Sequence, residues 1–269
     1  MWSGVGGNGK GLIMEIINKA FGEYFYVPDN QFLTTKYRSD RPNPSLYNTR
    51  NKKVVMVSEP EADKDGDITF NIEFVKKLTG RDDVTTRDLH KSNITFKPKF
   101  TLFIQCNEQT KLDKVEQAIG RRFICLNFPY QFVENPKFEH QRKIDYSLKD
   151  KIQDPIYYTE FMGMLIDMMK NKINDNITIP QVVKETTNEY MEENNVVKKF
   201  LDEYIEITNN KKDKMTKTEL YALYKLKIED PIPKTKFYYN MTQNGFLEKK
   251  SNGARVYTGL KINEEFDLS

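Results

Sequence analysis

Apolar and polar positions fall into blocks that predict a helix, several short strands, and then mainly helices. Leu12, Ile13, Ile16, Ile17, Ala20 and Phe21 recur at helical spacing and predict a helix over residues 12–21. Residues 27–50 carry Pro28, Pro42 and Pro44 among turn formers, so they read as loop with one short helix. Val54 to Val57 form a continuous apolar run, the pattern of a strand buried on both faces of a parallel sheet. A helix over Asn71–Leu78 stops at Thr79-Gly80. Val84–Leu89 and Ile94–Lys97 then predict a hairpin, with His90-Lys91-Ser92-Asn93 as its turn. Phe100–Asn107 is another apolar strand ending in a polar residue, and a further strand follows Arg121-Arg122.

The second half is mostly helical in pattern. A charged loop with Pro136 leads to a helix around Tyr157–Met169. Its stripe of Phe161, Met162, Met164, Leu165, Met168 and Met169 is expected to be the core of a small helical region. Pro180 opens a helix through Glu193, and Val196–Thr208 predicts another with Val196, Val197, Phe200, Leu201, Tyr204 and Ile205 on one face. Thr216 and Glu219 have capping-box spacing at the start of a helix through Lys225. Pro233 precedes a helix over Lys234–Gln243. Phe246–Lys250 and Arg255–Leu260 read as strands joined by Ser251-Asn252-Gly253-Ala254. Helix, helix and two-stranded ribbon in this order predict a winged helix.

The candidate chemistry starts at the first residues. Gly4, Gly6, Gly7, Asn8, Gly9, Lys10 and Gly11 match G-x-x-x-x-G-K, with Gly11 where Ser or Thr is usual. Such glycines let backbone N–H groups turn inward around a phosphate, and Lys10 adds a point charge. The helix that follows would aim its positive end at the same anion. Two features depart from a complete site. Only Met1-Trp2-Ser3 precede the loop, so its supporting strand is expected to be missing, and Gly11 offers no hydroxyl to Mg²⁺. Glu59, at the end of the Val54–Val57 strand, is the first choice for an acid that holds Mg²⁺ or polarises water, with Glu61 and Asp63 next in an acidic loop that also holds Asp65 and Asp67. Asn107 could hold the attacking water, or be an ordinary strand-end residue. Arg121 and Arg122 could reach a neighbouring subunit's phosphate, or form a surface pair.

Composition narrows the class. The chain has 269 residues, enough for two domains, and its 38% hydrophobic and 12% aromatic content suits a soluble globular protein. It has no run of about 18 apolar residues and no basic flank before an apolar core, so neither a membrane span nor a signal peptide is expected. Cys106, Cys125, His90 and His140 do not match zinc-cluster spacing and point to a reducing compartment. The net charge of +3 is uneven: residues 211–261 hold 12 Lys and Arg against 5 Asp and Glu, a net of +7, which leaves about −4 elsewhere. A basic C-terminal module suits nucleic-acid phosphates, although a lysine-rich solvated surface has the same charge.

Taken in order, the loop at Gly4–Gly11, the strand ending in Glu59, Lys77-Leu78-Thr79-Gly80-Arg81-Asp82, Phe96-Lys97-Pro98-Lys99-Phe100, Asn107 and Gly120-Arg121-Arg122-Phe123 resemble the superfamily 3 helicases of the AAA+ type. The resemblance covers residues 4–130 and is to the primase–helicase branch of phages, plasmids and large DNA viruses. It implies an α/β fold: a P-loop AAA+ parallel sheet with helices on both faces over residues 1–135, a helical lid over 136–208 and a winged helix over 209–269. It implies ATP and Mg²⁺ as cofactors, with Lys10 on phosphate, Glu59 as the Walker B acid and metal-side residue, Asn107 as the sensor, and Arg122, then Arg121, as the arginine finger. His90 and Lys91 would grip single-stranded DNA in a ring, a hexamer. Lys234, Lys236, Lys249, Lys250 and Arg255 would meet duplex or fork phosphates, with little base readout.

The resemblance further implies an upstream primase domain or protein, and a cytoplasmic or viral replication compartment. An origin-loading AAA+ motor fits less well, because the hairpin lies between the acid strand and the sensor strand. The different-class expectation is a non-catalytic DNA-binding and assembly fragment, supported by Gly11 and the short start.

Overall fold

The computed structural model describes all residues except 62–68, 108–109, 113–116, 173–177, 209, 252 and 264–269. Asp63, Asp65, Asp67 and Asn252 therefore lie outside the described residues.

In chain order the elements begin with β1 (Trp2–Ser3), α1 (Lys10–Phe21), β2 (Phe25–Tyr26), α2 (Pro44–Asn48), β3 (Val54–Ser58), β4 (Thr69–Phe70), α3 (Ile72–Thr79), β5 (Val84–Thr86), β6 (Ile94–Phe96), β7 (Thr101–Gln105) and β8 (Lys111–Leu112). They continue with α4 (Gln117–Gly120), β9 (Leu126–Asn127), β10 (Gln131–Val133), β11 (Gln141–Lys143), α5 (Ser147–Lys151), α6 (Pro155–Lys172), α7 (Gln181–Glu193) and α8 (Val196–Tyr204). The last are β12 (Ile205–Ile207), β13 (Lys214–Thr216), α9 (Lys217–Lys227), α10 (Lys234–Gln243), β14 (Lys249–Ser251), β15 (Ala254–Thr258) and β16 (Leu260–Ile262). They divide into two compact units, residues 1–113 with 122–187, and residues 114–121 with 188–269.

The first unit is built on a five-stranded sheet in the order β2-β3-β7-β1-β9, with every pairing parallel. The strand expected to be missing is present. Trp2 and Ser3 pair with Leu126 and Asn127 on one side, and Trp2 pairs with Gln105 on the other, so β1 occupies an interior position although it is two residues long. Val54 to Val57 are all buried, because an interior parallel strand is covered on both faces. On one face Ile17 of α1 packs with Phe25, Val54 and Met56, joined by Trp2, Met14, Phe21 and Phe103. On the other, Val75 and Thr79 of α3 and Val183 of α7 line a cavity against Leu102 and Ile104. The helix expected over residues 71–78 forms because the Asn71 side chain accepts from the Phe74 N–H at 3.0 Å, a standard N-cap bond.

Three further expectations change. The methionine stripe of α6 is not core: α6 buries no residue, and only Phe161 joins the sheet-side cluster. Met164 is half exposed, and Met168 and Met169 are 57% and 67% exposed. The segment read as a charged loop contains β10 and β11, paired in parallel. The strand after the tandem arginine is confined to β9.

The second unit carries a three-stranded antiparallel sheet, β13-β15-β14, with α9 and α10 between its first and second strands. Thr216 accepts from the Glu219 N–H at 3.1 Å, and Glu219 accepts from the Thr216 N–H at 2.9 Å, so the capping box forms as its spacing predicts. The helix expected through Thr208 stops at Tyr204. Ile205 to Ile207 alternate as a strand and pair antiparallel with Leu260–Ile262, a distant segment that tertiary pairing favours over local helix. The expected strand over Arg255–Leu260 is correspondingly broken at Gly259. Val197, Phe200, Leu201, Leu220, Tyr224, Phe237, Met241 and Tyr257 close this core. No described helix is long and apolar enough to cross a membrane.

Candidate functional site

The glycine loop runs from β1 into α1, and its backbone explains its residues. Gly4, Gly7 and Gly9 have φ of 132°, 77° and 86°, values that side chains other than glycine rarely adopt. A Cβ on Gly4 would also lie 2.6 Å from the Phe128 carbonyl oxygen and 2.8 Å from Asn8 Nδ2. Gly6 and Gly11 are different: a Cβ on either would meet nothing within 4 Å, and neither has positive φ.

Two polar side chains are sunk into the loop. Asn8 is 6% exposed, and its Oδ1 accepts from the Lys10 N–H at 3.4 Å. Its Nδ2 is buried without a partner. Lys10 is 2% exposed, and its ammonium donates to the Gly4 carbonyl at 2.6 Å and lies 6.0 Å from the Phe128 ring centre. Burial lowers its pKa from the usual lysine value, and the charge of Glu59 acts in the opposite direction. The ammonium is thus desolvated and held by a neutral carbonyl, an arrangement that gains when an anion enters the loop.

The acid and amide meet at the same end of the sheet. Glu59 follows β3 and Asn107 follows β7, its immediate neighbour, and the Asn107 amide donates to Glu59 Oε1 at 2.8 Å. The Glu59 N–H donates to the Gln105 carbonyl at 2.8 Å. Glu59 has φ of 45°, a left-handed conformation that is strained for a non-glycine residue and turns the chain at the strand tip. Gln105, between Ser58 and Trp2 in register, is buried with its side-chain oxygen unpartnered. Sequence reasoning passed over it. The signal was an amide in a strand of otherwise apolar pattern.

The structure separates Glu61 from Glu59. Glu61 accepts from Asn30 at 3.1 Å, and its backbone carbonyl accepts from the Thr34 hydroxyl at 3.1 Å, so it fastens the 30–34 loop. Arg122 donates to the Lys76 carbonyl at 3.0 Å, toward the C-terminal end of α3, where a cation suits the negative end of the helix. Arg121 is exposed. At the tip after β5, His90 takes φ of 58° and Lys91 pairs with Asp88 at 2.9 Å while lying 5.1 Å from the Tyr47 ring centre. Hydrogen bonding to the partner raises the Lys91 pKa and lowers that of Asp88. Cys106 and Cys125 are free and buried, and burial pushes the Cys106 thiol up to about 11.

In the second unit, Lys249, Lys250 and Arg255 lie exposed on the β14–β15 ribbon, Lys234 opens α10, and Lys236 follows two residues later. Glu248, which sequence reasoning did not single out, pairs with Arg255 at 2.7 Å and with Lys217. The Lys234 ammonium lies 5.9 Å from the Tyr238 ring centre. Among the described residues no group of three or more His, Cys, Asp or Glu is placed to hold a metal ion.

Residues 2–122 match a family model described as a family of unknown function (DUF5906). The chain is 28% identical over 199 residues to "Putative helicase L207/L206" of Acanthamoeba polyphaga mimivirus, covering 70% of this chain and 20% of that protein. It is 25% identical over 265 residues to "Putative helicase V13" of Sputnik virophage, covering 94% of this chain and 33% of that protein. It is 28% identical over 165 residues to "Primase D5" of fowlpox virus, covering 59% and 21%. The chain therefore spans a fifth to a third of the length of these relatives. Among solved structures, the apo NrS-1 C-terminal region (residues 305–718) matches with a TM-score of 0.52 at 15% identity, covering 97% of this chain and 66% of that one, a likeness of fold.

Proposed function

We infer, for a chain of the superfamily 3 primase–helicase type, that its first unit is the ATP-hydrolysing motor of a DNA replication protein. The observation that carries this reading is the hydrogen bond between Asn107 and Glu59 at the tips of adjacent parallel strands, one of which flanks the strand feeding the glycine loop. Loop N–H groups and the α1 N-terminus receive the phosphates, and Lys10 exchanges the Gly4 carbonyl for them. Glu59 orients and polarises the attacking water, while Asn107 fixes the carboxylate.

Glu59 is exposed with one oxygen engaged by Asn107, which leaves the other for Mg²⁺. That fits an ion held chiefly by phosphate oxygens and water. When bound, the ion neutralises charge on the transferred phosphoryl group.

Arg122, or Arg121, serves the site of the adjacent subunit in a ring, with a hexamer as the leading arrangement. Arg122 must then leave the Lys76 carbonyl. His90 and Lys91 take hold of single-stranded DNA, with Lys91 released from Asp88. β13, α9, α10, β14 and β15 act as a winged helix, with Lys234 and Lys236 on its second helix and Lys249, Lys250 and Arg255 on its wing meeting duplex or fork phosphates. A primase part works with this motor, in the cytoplasm or a viral replication compartment.

Replacing Glu59 with Gln keeps the acceptor for Asn107 but removes the charge. The expected result is retained ATP binding with turnover at least about a hundredfold lower, measured by phosphate release beside a binding titration. Unchanged turnover would remove Glu59 from the site.

Gly11 favours a second reading, a DNA-binding and assembly fragment without turnover. Gly11→Ser decides how far that residue matters. The position is helical with open space for a Cβ, so the variant is expected to fold and to melt no lower than the parent, gaining up to about 0.5 kcal/mol of helix propensity. Its Mg²⁺-dependent ATPase is expected to rise. An unchanged rate would show that the missing hydroxyl does not limit the site.

A further inference from the structure

We propose that the ribbon formed by β10 and β11 is the seat of the nucleobase, with Tyr130, Phe132 and Arg142 as its contact surface. This rests on the reading of Gly4–Lys10 as a phosphate loop. The ribbon is fastened to that loop. The Phe132 N–H donates to the Gly7 carbonyl at 2.7 Å, and the Gln131 side chain reaches the Gly6 carbonyl at 3.5 Å. The Phe132 ring stands 3.6 Å from where a Cβ on Gly9 would lie.

The exposed chemistry of the ribbon is aromatic and cationic. Phe132 is 40% exposed and Tyr130 46% exposed, two positions apart and so on one side of an extended chain. Arg142 is the register partner of Phe132, and its guanidinium lies 4.1 Å from the Tyr130 ring centre. Its own N–H groups are held by the carbonyls of Glu139 at 2.5 Å and Gln141 at 2.8 Å, which fixes the plane it offers. Water-exposed rings gain by being covered, and a purine offers a π-face to both aromatic rings and guanidinium. A nucleotide whose phosphates fill the loop carries its base away from Lys10 on a short ribose tether. The ribbon, bonded to the loop at Gly6 and Gly7, offers a surface able to stack it. Stacking without hydrogen-bond readout predicts weak discrimination between bases.

The test is a set of calorimetric titrations with ATP, ADP and inorganic tripolyphosphate, each with Mg²⁺, on the full chain. Phe132→Ala and Tyr130→Ala are expected to weaken ATP and ADP about tenfold, while tripolyphosphate affinity stays within about twofold. Arg142→Gln, a surface change that empties no core, is expected to weaken the nucleotides alone by a smaller factor. Phe132→Leu, which keeps apolar cover over Gly9, should hold tripolyphosphate binding at the parent value and still lose nucleotide affinity. Equal loss of tripolyphosphate and ATP across these variants would mean that the ribbon only supports the loop, and would overturn the proposal. Unchanged ATP affinity in all of them would overturn it too. A parent chain that binds neither ATP nor tripolyphosphate would remove the phosphate-loop reading itself, a result distinct from either.

Discussion

Lys10→Ala is expected to abolish ATP hydrolysis, with a fall of at least about a hundredfold, while DNA binding by residues 211–261 stays at the parent value. The first effect follows from position. Lys10 is the cation sunk in the glycine loop, and nothing else in the loop carries positive charge. The second follows from the division of the chain, which places Lys10 and the basic residues from Lys211 onward in different units. The variant has a structural cost of its own. Removing the ammonium leaves the half-buried Gly4 carbonyl without the 2.6 Å bond it now accepts, at a cost of about 1 kcal/mol. Lys10→Met, which refills most of the volume, separates this cost from the lost charge. Both variants should lose hydrolysis, and Met should recover part of the stability measured by thermal unfolding. Hydrolysis retained in either would sink the site assignment.

Gly259→Ala is expected to give the largest loss of stability of any single methyl addition in the second unit. Gly259 separates β15 from β16 with φ of 78°. Its N–H donates to the Asp213 carbonyl and its carbonyl accepts from the Thr208 N–H, both at 2.8 Å. A Cβ would lie 2.5 Å from the Thr208 carbonyl oxygen, which is backbone and cannot swing aside. The left-handed conformation costs an alanine about 1–2 kcal/mol, and the clash forces apart strands joined by those two bonds. A total near 3 kcal/mol is expected. Gly253→Ala is the control, because Gly253 has φ of 77° and open space around its Cβ position. It should show the conformational cost alone. Urea unfolding of the two variants, followed by the fluorescence of the tyrosine-rich core around Tyr224 and Tyr257, measures the difference. Equal midpoints would mean that the clash is relieved without cost.

How much of this was legible depended on whether local chemistry or distant pairing decided each element. Val54–Val57, the Asn71 cap and the Thr216–Glu219 box carry their instructions within a few residues, and they form as the sequence implies. The ordered motifs also led to Glu59 and Asn107, which the sheet brings into hydrogen-bonding contact across 48 residues of chain. The sheet strand before the loop was illegible because two residues cannot show a period. Trp2 and Ser3 become a strand only through partners at 105, 126 and 127. The same holds for Ile205–Ile207, whose partner is more than fifty residues away. Gln131–Val133 and Gln141–Lys143 lack apolar alternation, so the ribbon beside the loop looked like charged linker. Arg122 was readable as a cation in a telling place, but its bond to the Lys76 carbonyl depends on where α3 ends in space.

The outward methionines of α6 have a consequence for oxidative chemistry. Met164, Met168 and Met169 face water, whereas Met56 and Met241 are fully buried. A mild oxidant therefore meets thioethers on α6 before it reaches either core. A sulfoxide there adds polarity to a surface that is already wet, whereas one on Met56 would place a dipole against Val54 and Ile17. Oxygen damage to this protein is thus expected to begin as a chemical mark that leaves the fold standing.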